Sequence, residues 1–334
     1  MNGYGCSGLP PDAEFHTNNL LAATALPSTI ASSAAISESG DVIVIELESP
    51  ISSGASGAPV EITQSIWVAI RNAADAGIIV VEAAGNGMRN LDAPFFAAYQ
   101  SWGDSGAIIV GAGEGYDPLH YKKVISTFGS RVNVQGWGGS VFTLAYGDVR
   151  PGNPPTSDPN QWYTLNGLNS TSAATAMVAG AILSLQSYAV NRLCRPLTPA
   201  EMRSLLISTG WPQGNPAAGN VGPFPQMREA IQELKLLPSN CQFRRGDANG
   251  SGAVDQTDVI YINYWLCCGG AAPVCMEAAD ANDDGSIDFT DGAYISNWLW
   301  QGGVPPPAPG PFACGPDPVT SVENPGCTNY TACP

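Results

Sequence analysis

The chain has 334 residues, with 13 Lys plus Arg against 29 Asp plus Glu, for a net charge of −16. That balance argues against nucleic acid or an anionic membrane as a partner and fits a soluble protein able to bind calcium. Only 13% of residues are charged and 44% are hydrophobic, with 38 glycines and 28 prolines. This is the composition of a loop-rich, compact, exported type of protein of two or three domains, not of a disordered chain.

Met1 is followed by NGYGCSGLPPDAEF, which has neither the basic nor the apolar region of a secretory signal. Residues 41–49, DVIVIELES, read as a buried strand rich in Val and Ile. In EITQSIWVAIRNAADAG, Ile62, Ile66, Ala69, Ile70 and Ala73 share one helical face and Gly77 stops the helix. IIVVEAAGNG follows as a second buried strand ending in a turn. Strand, helix and strand with short joints make a right-handed βαβ unit, so the sheet is parallel. GAIIVGAG at 106–113 is a further strand; RVNVQGWG and SVFTLAYG, around 131–147, are expected as two strands joined by a turn. Residues 172–190 are expected as a helix. Thr175, Ser184, Gln186 and Ser187 interrupt its apolar run, so it reads as a buried core helix and not a membrane span. LTPAEMRSLLISTG is another helix, with Thr198 as N-cap, Pro199 in its first turn and Gly210 at its end.

Beyond about residue 236 the composition changes. RRGDANGSGAVDQTDVIYINYWL is answered 33 residues later by AADANDDGSIDFTDGAYISNWLW, an internal duplication. GGVPPPAPGPFACGPDP then forms a stiff Pro-rich tail, clipped by its cysteines. Seven of the nine cysteines (Cys241, Cys267, Cys268, Cys275, Cys314, Cys327 and Cys333) lie late and read as disulfides of an exported protein. An odd total leaves one thiol free or its partner missing.

An α/β sheet presents reactive groups at the carboxyl ends of its strands and at the helix starts beyond them. Asn86 stands at such a strand end and Ser172 at such a helix start, where backbone N–H groups stabilise an oxyanion. STSAATAMVAG resembles the nucleophile motif of the subtilisin-like serine proteases, Gly-Thr-Ser-x-Ala-x-Pro-x-Val-Ala-Gly. Thr171, Ser172, Ala174, Val178, Ala179 and Gly180 match, while Ser170 replaces the first glycine and Ala176 the proline. GIIVVEAAGNG resembles the family's oxyanion segment, and LTPAEMRSLLISTG its late surface helix. The resemblance covers about residues 1–236. It implies Ser172 as nucleophile and Asn86 as oxyanion donor, acting on a peptide or protein substrate.

Subtilisin-like enzymes run Asp, His, Ser along the chain. Of the two histidines here, His16 lacks the family's His-Gly-Thr context and His120 follows Asn86, so both read as ordinary surface or loop residues. NGYGCSGLPPDAEF resembles the family stretch just after the histidine helix. The expectation is a chain that begins downstream of the catalytic histidine, with the base, the orienting acid and the export signal lost. DVIVIELES aligns with the strand whose backbone flanks the bound peptide, usually ending Ser-Leu-Gly; here Glu46, Leu47 and Glu48 stand there as substrate-binding candidates. Their carboxylates either favour basic substrate residues or face solvent.

DANGSGAVDQTD and DANDDGSIDFTD put oxygen side chains at loop positions 1, 3, 5, 9 and 12, with Gly at 6, a pattern suited to Ca²⁺. The first ligand set is Asp247, Asn249, Ser251, the Ala253 carbonyl, Asp255 and Asp258; the second is Asp280, Asn282, Asp284, the Ser286 carbonyl, Asp288 and Asp291. Paired loop–helix repeats with Asp at position 12 resemble dockerin modules, which implies calcium and a cohesin-like partner. Cys267, Cys268 and Cys275 resemble a disulfide-trimmed variant. Because vicinal cysteines seldom bond each other, Cys275 is expected to pair with one of the other two.

The expected architecture is therefore α/β: a partial three-layer subtilisin-like domain with a mostly parallel sheet over 1–236, then a small α-helical dockerin-like domain of two calcium loop–helix repeats over 243–303, then a Pro/Cys-rich tail over 304–334. The expected function is that of a secreted or cell-surface serine endopeptidase lacking its Asp and His. The alternative is a non-catalytic anchoring protein whose working part is the calcium module. A polysaccharide hydrolase, suggested only by the company dockerins keep, is disfavoured by the serine motif.

Overall fold

The computed structural model describes residues 8–18, 25–52, 55–144, 163–164, 168–318, 326–327 and 330–333. In chain order its elements are α1 (Leu26–Ile36), β1 (Val42–Ile45), β2 (Glu48–Ser52), β3 (Ala55–Pro59), α2 (Gln64–Asp75), β4 (Ile79–Ala83), α3 (Ala97–Ser101), β5 (Ile108–Gly113), β6 (Val134–Trp137), β7 (Thr143–Leu144), β8 (Tyr163–Thr164) and α4 (Thr171–Leu193). There follow α5 (Pro199–Thr209), α6 (Met227–Lys235), α7 (Gln256–Cys268), α8 (Met276–Ala279) and α9 (Phe289–Gln301). They fall into two compact units, one of Met1–Leu185 with Leu197–Ala230, the other of Gln186–Pro196 with Ile231–Pro334.

The first unit is built on a four-stranded sheet in the order β1-β4-β5-β6. All three pairings are parallel, as the βαβ pattern predicts. Every residue of β4 and β5 is buried, which explains why both are apolar apart from Glu82 in β4. Ile66, Ile70 and Ala73 of α2 meet Leu26 and Ile30 of α1 and Val80 of β4 in one core cluster. Burying each large aliphatic side chain contributes about 1.5–3 kcal/mol. Gly77, at φ +86°, turns the chain from α2 into β4.

Two sequence expectations change here. Residues 41–49 are not one buried strand. β1 is an outer strand with Val44 41% exposed, the chain breaks at Glu46–Leu47, and β2 leaves to pair antiparallel with β3. Pro50, lacking an N–H, sits at a register shift in that ribbon. The two strands expected around 131–147 are present as β6 and β7, but they do not pair with each other, and residues 145–147 lie outside the described residues. Val134, Gln135 and Gly136 are buried in β6, which joins the parallel sheet beside β5, while β7 pairs antiparallel with β8. Short alternating runs do not reveal their partners, and burial on both faces made β6 a sheet strand.

At its start α4 comes close to β6: a Cβ on Gly136 would lie 2.6 Å from the Ala174 carbonyl oxygen. Ala173, Ala174, Val178 and Ile182 of α4 are buried. By length and composition α4 could cross a membrane, but most of its apolar stretch is buried inside the fold, as in a core helix. Thr198 caps α5 through a reciprocal capping box with Glu201.

In the second unit α7 and α9 each follow an acidic loop and enclose a small core of Ala248, Val259, Ile262, Ala279, Ala281 and Ile295. Disulfides join Cys194 to Cys241, Cys267 to Cys268, Cys275 to Cys327 and Cys314 to Cys333. Cys6 lies outside the described residues. The expected pairing of Cys275 with Cys267 or Cys268 is overturned. Those two close on each other at the end of α7, while a backbone bridge sets Cys275 opposite Cys327 of the tail. The tail is held a second time where Gly315 exchanges backbone hydrogen bonds with Phe243.

Candidate functional site

The site begins where β4 ends. Gly85, at φ +92°, turns the chain so that Asn86 meets the first turn of α4. The Asn86 Oδ1 accepts from the Thr171 backbone N–H at 2.9 Å and from the Thr171 hydroxyl at 3.1 Å. The Thr171 hydroxyl in turn lies 3.2 Å from the Gly85 N–H, which donates to it. An N–H can only donate, so these bonds fix which way the Asn86 amide points. Its Nδ2 therefore faces the opposite side and donates to Glu48 Oε2 at 2.9 Å; the Asn86 backbone N–H donates to the same oxygen at 2.7 Å.

Ser172 is half-buried in the first turn of α4. Its hydroxyl donates to the Glu46 carbonyl at 2.9 Å, and its N–H donates to the Ser170 hydroxyl at 3.2 Å. Residues 46–48 thus touch both the serine and the asparagine. Desolvation by its surroundings in the fold raises the Glu46 carboxyl above its ordinary value. Leu47 is exposed. Neither histidine is bonded to Ser172. His16 is exposed and sits 3.4 Å from Glu14. His120, expected at the surface or in a loop, lies in a loop but is buried, stacked against Trp211 and Phe224 at centroid distances of 5.1 and 5.0 Å. Desolvation lowers its pKa, so it is neutral at pH 7.

Sequence reasoning missed Gly57. At φ +120° it lies against the Asn86 turn, and its carbonyl accepts the Gly87 N–H at 3.2 Å. A Cβ there would stand 2.0 Å from the Gly87 nitrogen. The signal was a glycine in a strand, the usual mark of close backbone approach.

The two acidic loops of the second unit repeat one bonding pattern. Asp247 Oδ1 and Oδ2 accept from the Ser251 and Gly252 N–H groups at 2.9 and 2.7 Å. Asp280 does the same with Asp284 and Gly285, at 3.2 and 2.9 Å. Asn249 and Asn282 accept from the residue two places on. Asp255 and Asp288 cap α7 and α9, and Asp258 and Asp291 close the capping boxes. The Ala253 carbonyl accepts the Ser251 hydroxyl, and the Ser286 N–H donates to Asp284.

Asp247, Asp258, Asp280 and Asp291 are buried. Desolvation raises Asp258 and Asp291 to about 6. No group of three or more metal-holding His, Cys, Asp or Glu side chains is gathered among the described residues. The donor set nonetheless fits calcium: each loop buries two carboxylates that accept from N–H and O–H groups and form no ion pair among the described residues, with the Arg245 charge only partly offsetting Asp280.

Two features of this unit carried no sequence signal. Arg245, fully buried, donates to the carbonyls of Asp280 at 2.9 Å and Ala308 at 3.1 Å and lies 3.0 Å from Asp283, so it braces the second loop from the residue pair before the first. The Tyr330 hydroxyl, from the tail, donates to Asp247 Oδ2.

A model of the subtilase family matches residues 7–244, and a model of the dockerin type I domain matches residues 245–299. None of the curated proteins compared with the chain matches it. Similar solved structures include a cold-adapted subtilisin-like serine proteinase, at 19% identity and TM-score 0.39 over 59% of each chain. A protease of Pseudoalteromonas arctica PAMC 21717 is similar at 19% identity and TM-score 0.43, over 62% of this chain and 57% of that one. The patellamide maturation protease PatA is similar at 18% identity and TM-score 0.43, over 63% of this chain and 68% of that one. This chain therefore spans well under two thirds of the first two.

Proposed function

The chain belongs to the subtilase family, and from that premise we propose that residues 1–236 form a serine-type peptidase domain with Ser172 as nucleophile and Asn86 as an oxyanion donor. The observation that carries this reading is the bond from Thr171 N–H to Asn86 Oδ1. It joins the strand end bearing the amide to the helix start bearing the hydroxyl. Acyl transfer needs a serine oxygen and a preorganised N–H donor in that relation. The substrate is a peptide or protein, with Glu46, Leu47 and Glu48 beside it.

The hydroxyl of Ser172 is held by a backbone carbonyl and by neither histidine, so this chain by itself hydrolyses peptides slowly. Loss of triad members costs several orders of magnitude in rate. A second reading, a non-catalytic anchoring protein, draws support from that missing base. The test is labelling of the full chain by a fluorophosphonate. A slow adduct that maps to Ser172 and vanishes in Ser172→Ala supports the peptidase reading; no adduct after prolonged exposure supports the anchoring one.

Residues 243–303 form a calcium-binding dockerin-like module with a cohesin-like partner, and 304–334 a Pro/Cys-rich tail. The first loop holds calcium through Asp247, Asn249, Ser251, Ala253, Asp255 and Asp258, the second through Asp280, Asn282, Asp284, Ser286, Asp288 and Asp291. When bound, the ion compensates carboxylates that are otherwise buried together. Both kinds of domain are typical of secreted or cell-surface proteins, and we place this one there.

A further inference from the structure

Two positions where the family pattern carries glycine are occupied here by Ser170 and Glu48. Their side chains take the Asn86 amide N–H proposed above for an oxyanion and the Ser172 backbone N–H at the helix start, the other donor that such an oxyanion would meet. Ser170 Oγ accepts the Ser172 N–H at 3.2 Å, and Glu48 Oε2 accepts both the Asn86 side-chain and backbone N–H groups, at 2.9 and 2.7 Å. A glycine at either position could do neither.

The Glu48 contact is the stronger of the two. An anion accepting two N–H bonds at one oxygen copies the charge that a tetrahedral intermediate places on its oxygen. Thr171 fixes the Asn86 amide from behind, so the amide cannot turn away and the carboxylate must move if the donor is to be used. No ion pair to Glu48 appears among the described residues. It is a half-buried anion held by neutral donors, two residues from the carboxyl of Glu46 in a chain of net charge −16. A cation brought into this place offers the carboxylate a bond in which both partners are charged, in competition with two bonds whose donors are neutral. An apolar side chain offers nothing in exchange.

We propose that Glu48 is the specificity-determining residue of the site: its carboxylate plugs the Asn86 donors until a lysine or arginine side chain of the bound peptide draws it away. The proposal rests on the reading of Ser172 and Asn86 given above.

The test compares two diphenyl phosphonates that differ only in carrying a lysine or its neutral isostere norleucine. Adducts on Ser172 of the full chain are counted by mass spectrometry. The lysine probe labels the wild-type protein about tenfold or more faster than the norleucine probe. In Glu48→Ala the norleucine probe speeds up by a similar factor and the preference falls to near one. Ser170→Gly combined with Glu48→Ala gives a further increase for both probes. Glu48→Gln, which keeps an acceptor of the same shape, lies between wild type and Glu48→Ala and guards against misfolding of the alanine variant. A second readout needs no reaction: the Asn86 side-chain amide resonances shift on adding a lysine-containing peptide to wild type and not to Glu48→Ala.

A lysine preference that survives Glu48→Ala overturns the proposal while leaving Ser172 as the nucleophile. Adducts that persist in Ser172→Ala, or no adduct in any Glu48 variant, overturn the reading beneath it as well.

Discussion

At the scale of single residues, the first unit buries two carboxylates beside its sheet, and they behave differently. Glu61 is met on both oxygens by Tyr99, Ser105 and Arg131. Glu82, near the end of β4, accepts the Glu61 N–H at 2.9 Å with one oxygen, while its other oxygen has no hydrogen-bond partner among the described residues. Desolvation first, then repulsion from Glu61, raises Glu82 well above its ordinary 4.5, so the acid is neutral where a free glutamate is ionised. The folded state then binds a proton that the unfolded chain releases. The stability from this group is therefore full below about 4.5 and is lost as pH rises towards the raised value. Gln copies the neutral acid in shape and keeps the acceptor for Glu61. In Glu82→Gln, thermal unfolding at pH 4 should match wild type, and at pH 8 the variant should be the more stable by about 1–3 kcal/mol. Parallel stability curves across that range for the two proteins would show that Glu82 is ionised in the fold.

At the scale of elements, the parts legible in the sequence were those whose pattern is local. The apolar period of α2, the largely apolar runs of β4 and β5 and the Thr198–Glu201 cap each depend on neighbours within a few residues. The misread parts depended on distant partners: β2 turning away to β3, β6 joining β5, and Cys275 reaching Cys327. At the site, the positions of Ser172 and Asn86 were visible, but the bonds that Glu48 and Ser170 accept from them were not. No short-range rule says which way a side chain points across a cleft. Gly57 belongs to the same class, because β3 lies against the turn after β4 with no side chain between them. In Gly57→Ala the new Cβ would collide with the Gly87 nitrogen at 2.0 Å, from a backbone at φ +120° that alanine resists. The Asn86 turn must shift, so the variant should lose more than about 2 kcal/mol and Ser172 labelling together. An alanine variant with unchanged melting and labelling would mean that β3 does not hold this turn in solution.

At the scale of the whole molecule, the second unit couples a duplicated motif to a tail that is not part of the duplication. The two loops repeat their internal bonds almost atom for atom, and calcium should bind both. They differ in what reaches them from outside. The buried Tyr330 hydroxyl donates to Asp247 of the first loop, and disulfides at Cys327 and Cys333 hold Tyr330 between them. Arg245 reaches the second loop at the Asp280 backbone carbonyl, but no side-chain donor from outside that loop is bonded to the Asp280 carboxylate among the described residues. A group that orients a ligating carboxylate typically contributes about 10- to 100-fold in metal affinity. Asp284 stands where the first loop has Ser251, which gives the second loop the greater charge. Calorimetric titration of the full chain with calcium should therefore show two events. Asp280→Ala should remove the tighter one, and Tyr330→Phe should weaken the other by about tenfold while leaving the tighter unchanged. Phenylalanine keeps the ring, so a change confined to one event isolates the hydroxyl. If both events weaken together in Tyr330→Phe, the loops fill as one cooperative site; if neither changes, the tail packs on the first loop without acting on its metal.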